Sequence, residues 1–117
     1  MIQSIAFSVY PVSNMASSRK FYEEALGLKV TLNFQEIWVE YDLGDTAFAL
    51  TTMEMGRKPG ANGAMVAFEV RDLPAFIKEL KRKSVPFITE AFTTPVCQMA
   101  VIQDPDGNAI TVHERHP

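Results

Sequence analysis

His113 and His116 are the only histidines in 117 residues, and Cys97 is the only cysteine. Carboxylates are more plentiful, and Glu40 and Glu69 stand in short segments rich in apolar residues. A carboxylate that works with an imidazole can move protons, so Glu40 and Glu69 are candidate general bases and His113 a candidate proton donor. Cys97 has no evident basic partner and reads as an inert, packed thiol rather than a nucleophile. One cysteine also excludes an intrachain disulfide and any multi-cysteine zinc or iron–sulfur site. Trp38, the sole tryptophan, alternates with Glu40 and Asp42 on the polar side of its segment. An indole in that place belongs either to a dimer interface or to a surface that stacks a ligand.

The composition narrows what these residues can serve. The apolar fraction is 47% and the charged fraction 21%, ordinary for a folded domain and unlike a disordered chain. The formal charge is −3, and the densest basic run, Lys78 to Lys83, falls at the end of an expected helix, where cations favour the dipole. Nucleic acid is therefore not an expected partner, because phosphate binding needs an extended Lys/Arg surface. No apolar run approaches the roughly 20 residues that cross a bilayer, so no membrane partner is expected. The first residues show no basic region or cleavage pattern, and a reducing, cytoplasmic setting suits the lone thiol.

The elements that must position these side chains can be read from periodicity. Ile2–Val9 is expected to be a strand that stops at Pro11. Ser13 or Asn14 can cap a helix whose apolar face is Phe21, Tyr22, Ala25 and Leu26, with Gly27 as its stop. Strands follow at Leu28–Phe34, Ile37–Leu43 and Thr46–Thr52, with a turn at Gly44-Asp45. In the second of these, Ile37, Val39, Tyr41 and Leu43 share one face, and Trp38, Glu40 and Asp42 the other. Residues 54–63, rich in Gly and Pro, read as a linker. The pattern then restarts: a strand at Ala64–Val70, a helix capped by Asp72 with Pro74 in its first turn, and strands at Pro86–Phe92, Val96–Gln103 and Asn108–Glu114. Asp104-Pro105-Asp106-Gly107-Asn108 has the chemistry of a type I turn closed by a positive-φ glycine, and serves strand reversal. The chain is thus a repeat, with Ile5-Ala6-Phe7-Ser8-Val9 matching Val66-Ala67-Phe68-Glu69-Val70. Each half reads strand–helix–strand–strand–strand, and a half of about 55 residues would be marginal alone, so the two are expected to share a core or exchange halves with another chain.

Phe21-Tyr22 followed by Leu26-Gly27-Leu28, the segment Val66–Leu73 and the Asp104–Asn108 turn, in this order on such a repeat, resemble the vicinal oxygen chelate superfamily. That superfamily includes glyoxalase I, extradiol dioxygenases and the bleomycin and fosfomycin resistance proteins. The resemblance covers the whole chain. It implies an α+β fold of two tandem βαβββ modules forming a curved mixed sheet around a cleft, with helices on the outer side. The modules would be 1–53 and 64–117 within a single domain, joined by the 54–63 linker. It also implies a homodimer, with module pairing either within a chain or across chains.

The metal enzymes of that superfamily place ligands at positions that match Phe7, Ala49, Met65 and Thr111 here. None is an imidazole or a carboxylate, so the resemblance implies the fold and the cleft while leaving no metal and no cofactor expected at that site. Glu40, Glu69, His113, Glu114 and His116 are the remaining metal candidates. Glu69 and His113 share strand faces with the matched positions Met65 and Thr111, and are expected to be partly exposed polar residues or an ion pair. His116, next to last, is expected to fray. The cleft-facing set would be Phe7, Val9, Trp38, Ala49, Met65, Ala67 and Met99, with Glu40, Glu69, Thr111 and His113 as polar markers. Methionines suit a loosely shaped apolar ligand, and the glutamates suit a cation. The favoured function is binding of a small amphipathic, aromatic or cationic molecule without catalysis, similar to the bleomycin resistance proteins. The alternative is a lyase, isomerase or dioxygenase-like enzyme that uses a non-standard metal site or metal-free acid–base chemistry by Glu40, Glu69 and His113. A third reading is a dimeric interaction module with no small ligand.

Overall fold

The computed structural model describes residues 1–54, 58–60 and 65–117. The chain divides into two compact units, Met1–Gly60 and Ala61–Pro117. Most of the expected 54–63 linker, Met55 and the start of the expected Ala64–Val70 strand lie outside the described residues.

The first unit is a four-stranded mixed sheet with one helix. Its strands are β1 (Phe7–Pro11), β2 (Leu32–Phe34), β3 (Trp38–Leu43) and β4 (Thr46–Thr51), ordered β1-β4-β3-β2. β1 runs parallel to β4, and the other pairs are antiparallel. The strand expected from Ile2 begins only at Phe7, because Phe7 pairs with Ala47 and β4 itself starts at Thr46. Ile2 and Ile5 lie ahead of the paired segment and are exposed. Pro11 closes β1 from within rather than from beyond its end. An edge strand has one side that needs no donor, and the next amide, Val12, supplies the bond to Thr51 O at 2.8 Å.

Helix α1 (Met15–Lys20) is capped by Asn14, whose Oδ1 accepts from Ser17 N at 3.0 Å. It passes directly into a π-helical turn, Phe21–Ala25, in which Leu26 N donates to Phe21 O at 3.1 Å. Sequence periodicity reads this stretch as ordinary α-helix, since both windings bring Tyr22 and Leu26 to the same face. Gly27 ends it at φ 80°, as a positive-φ stop requires. The buried face of the sheet is aromatic: Phe48 lies edge-on to Tyr10 at 5.4 Å, 5.2 Å from Tyr22 and stacked on Tyr41 at 6.4 Å.

The second unit repeats the plan. Its strands β5 (Val66–Glu69), β6 (Phe87–Thr93), β7 (Cys97–Gln103) and β8 (Ala109–Arg115) are ordered β5-β8-β7-β6, again with one parallel pair, β5 with β8. Helix α2 (Leu73–Arg82) has Asp72 as N-cap, accepting from Ala75 N at 3.1 Å, and buries Leu73 and Leu80. Ile102, Ile110 and Val112 complete this core. Each unit thus shows the expected βαβββ order in an α+β fold.

The repeat has a different register from the sequence match. Asn14 and Asp72 cap equivalent helices, and the bonds Val12 N to Thr51 O and Val70 N to His113 O are equivalent exits from the first strand. Phe7 therefore corresponds to Met65 and Val9 to Ala67, an offset three residues shorter than the one that aligns Ile5–Val9 with Val66–Val70. An odd shift in a strand exchanges its two faces, so the pairing of Phe7 with Phe68 fails on side-chain direction. Phe7 stands in register with Ala47 on one face, whereas Phe68 stands with Val112 on the buried face.

Candidate functional site

In the first unit, strand alternation separates the aromatic core from an open face. Register places Val9, Glu40 and Ala49 side by side in one row across the sheet, and Trp38 beside Thr51 in the next. Phe7 meets the Trp38 indole edge-on, with ring centroids 5.1 Å apart. Trp38 Nε1–H donates to Glu40 Oε2 at 2.7 Å, which fixes the indole plane and leaves the other carboxylate oxygen for a partner. Sequence-expected Phe7, Val9, Trp38, Glu40 and Ala49 thus share this face. It also includes Leu32 and Phe34, paired with Glu40 and Trp38, which sequence reasoning left out. Both are about half exposed, Phe34 at 55% and Leu32 at 47%. Their spacing of two on a strand paired with β3 was the available signal.

In the second unit, Ala67, Thr111 and Val101 form one row, and Glu69, His113 and Met99 the next. Thr111 Oγ1 donates to Met65 Sδ at 3.3 Å, so Met65, Ala67, Glu69, Met99, Thr111 and His113 share a face of this sheet. Phe92, in register with Met99 and also unforeseen, adjoins them. Glu69 Oε1 lies 2.6 Å from His113 Nδ1, and Glu69 Oε2 accepts from Arg115 N at 2.8 Å. The Arg115 amide first, and then His113, hold the Glu69 carboxyl below its usual range. Chemically, this is an ionised carboxylate orienting an imidazole.

The family model for the glyoxalase/bleomycin resistance protein/dioxygenase superfamily matches residues 3–112. The chain belongs to this superfamily. No curated protein matches it. Among solved structures, an antibiotic binding protein from Streptomyces sp. CB03234, TnmS3, superposes with a TM-score of 0.84 at 23% identity, covering 98% of each chain. A member of the superfamily from Sphaerobacter thermophilus DSM 20745 gives a TM-score of 0.80 at 25% identity, covering 97% of this chain and 98% of that one. A glyoxalase/bleomycin resistance protein from Streptomyces sp. CB03234 gives 0.78 at 24% identity, over 93% of this chain and 98% of the other. These likenesses carry the fold.

The ligand positions of the superfamily's metal enzymes do not fit a divalent metal here. Phe7 and Ala49 have no donor atoms in their side chains, and Met65 and Thr111 bond to each other through a thioether and a hydroxyl. Among the described residues, no group of three or more His, Cys, Asp and Glu is arranged to hold a metal ion. Two further metal candidates have structural uses. Glu114 Oε1 accepts from Leu73 N at 2.7 Å and so satisfies a free amide at the start of α2. His116, expected to fray, is tied down at both ends: its N–H donates to Val96 O at 2.9 Å, and Nε2 lies 3.1 Å from Thr94 O. Cys97 is buried with its sulfur 3.1 Å from Thr94 Oγ1.

Proposed function

We propose that this superfamily member binds a small planar aromatic or amphipathic cation on the open face of its first sheet. The carrying observation is the Phe7–Trp38 edge-to-face pair with the indole N–H held by Glu40. It supplies a π surface beside a carboxylate, the two groups that attract an organic cation. Phe34 and Leu32 extend the apolar surface. The antibiotic-binding character of TnmS3 supports a binding role on this fold. Val9 and Ala49 stand in the next row of the same face, and Met65, Ala67, Glu69, Met99, Thr111 and His113 are further proposed ligand-binding residues on a face of the second unit's own sheet. Modules 1–53 and 64–117, joined by 54–63, work as one domain without a metal or cofactor. The protein is a homodimer of the cytoplasm, where a buried lone thiol stays reduced.

Titration with proflavine, an aromatic cation, followed by Trp38 quenching and by equilibrium dialysis, tests the reading. Saturable binding weakened about tenfold by Glu40→Gln supports it. Absence of proflavine binding, or equal affinity for the anionic dye ANS, overturns it. Light scattering at micromolar concentration checks the dimer, and a monomer there refutes it.

The Glu69–His113 pair favours a second reading, proton transfer with His113 as base and Glu69 as its orienting carboxylate. It predicts that the protein incorporates solvent deuterium into members of a panel of α-hydroxy ketones, and that His113→Gln abolishes this. No incorporation by the wild type removes that reading.

A further inference from the structure

The turn between β2 and β3 holds two consecutive non-glycine residues in the left-handed region, Gln35 at φ 53° and Glu36 at φ 57°. Ile37 N donates to Phe34 O at 2.9 Å and closes it. Such turns match the twist of a hairpin but favour Asn-Gly or Gly-Gly at the centre. Gln-Glu adopts this geometry only where the surroundings over-determine it.

The determining groups form one connected line. Glu36 N donates to Asn33 Oδ1 at 2.9 Å, and the Asn33 side-chain amide donates to the Glu36 carboxylate. Arg19 Nη1, from α1, reaches both Glu36 oxygens at 3.0 and 2.7 Å. Arg19 is itself anchored, with Nε 2.7 Å from Glu23 Oε2. That same Glu23 oxygen accepts from Tyr41 Oη–H at 2.9 Å, and Tyr41 is fully buried on β3. Burial first, and then Glu23, hold the Tyr41 hydroxyl neutral, so it remains a donor. Phe34, which opens this turn, and Trp38, one residue beyond Ile37, are register partners on the open face.

We propose that Arg19 and Glu36 are positioning residues, whose ion pair holds the Gln35–Glu36 turn to α1 and thereby sets the placement of Phe34 and Trp38 on the open face. The functional part of this inference rests on the proposed binding role of that face. Glu36 is the more exposed partner, with 53% of its side chain accessible against 28% for Arg19. The outer link is therefore open to screening by salt, while the Arg19–Glu23–Tyr41 end is better shielded.

Trp38 is the only tryptophan, so its emission reports this face alone. In ligand-free protein, Glu36→Gln is expected to raise acrylamide quenching of Trp38 about twofold while Tm stays within about 2 °C. The same variant is expected to weaken proflavine binding about threefold. Arg19→Lys keeps the charge but not the planar fork, and is expected to fall between wild type and Glu36→Gln in quenching. About 1 M NaCl applied to the wild type should move Trp38 quenching in the same direction, with no substitution at all. Quenching unchanged both in Glu36→Gln and in wild type at high salt overturns the proposal. A wild type that binds no proflavine, with Trp38 still loosened by Glu36→Gln, ends the binding role and leaves the positioning role standing. Proflavine binding with affinity and quenching both indifferent to Glu36→Gln ends the positioning role alone.

Discussion

Asp104 shows how one side chain serves the fold without chemistry. It is buried, and its oxygens accept from Asp106 N at 2.9 Å, Asn108 N at 2.8 Å and Asn108 Nδ2 at 2.7 Å. Asp104→Asn retains one acceptor for the two backbone amides but turns an NH2 toward the Asn108 amide. The resulting donor–donor conflict should lower stability by about 1–3 kcal/mol, read from urea unfolding. Glu69 predicts a pH effect. Its folded pKa lies below the ordinary 4.5, so it contributes stability that is present above that value and is lost as pH falls through the lower folded one. Glu69→Gln should therefore lower Tm slightly near neutrality, where the charged carboxylate is stabilising, and the two proteins should converge in acid. It should also flatten the fall in Tm below about pH 4.5, measured by thermal melts across the acid range. An acid limb as steep as the wild type's would show that Glu69 is not one of the groups responsible.

At the scale of elements, the turn at Gln35-Glu36 and the π-helical turn at Phe21–Ala25 depart most from local sequence preference. Neither has a strong local signature: Gln-Glu is no turn dipeptide, and Phe-Tyr-Glu-Glu-Ala is consistent with ordinary helix. Both belong to the network of Arg19, Glu23, Glu36 and Tyr41, whose links between the helix and the hairpin, Arg19 to Glu36 and Glu23 to Tyr41, span 17 and 18 residues of sequence. Gln35→Gly relieves a positive φ without touching the ion pair and is expected to stabilise the protein by about 0.5–1 kcal/mol, visible as a higher Tm. Helix caps and stops were legible from sequence, since Asn14, Asp72 and Gly27 act through neighbours a few residues away. The start of β1 was not, because its length is set by where β4 begins.

For the whole molecule, the question is whether the superfamily's metal persists in a chain whose matched positions are Phe7, Ala49, Met65 and Thr111. The donor set predicts that it does not bind there. Protein purified without chelators should hold less than about a tenth of an equivalent of metal by elemental analysis, and EDTA should leave Tm unchanged. Stoichiometric zinc, nickel or iron, or a clear loss of stability in EDTA, would contradict this.

The sequence by itself determined the βαβββ order of each half, the superfamily and which side chains of a strand share a face, because periodicity, caps and turns are local. It also showed that the matched ligand positions lack an imidazole or a carboxylate, which needs only residue identity. Tertiary structure decided the register of the repeat, pairing Phe7 with Met65 rather than with Phe68, because only the hydrogen-bonded partner strands fix the face. It likewise decided that Glu40 holds Trp38 and Glu69 meets His113, and that Glu114 caps a helix instead of joining a site. A carboxylate's partner is set by what folding brings within hydrogen-bond reach, often from the far end of the module.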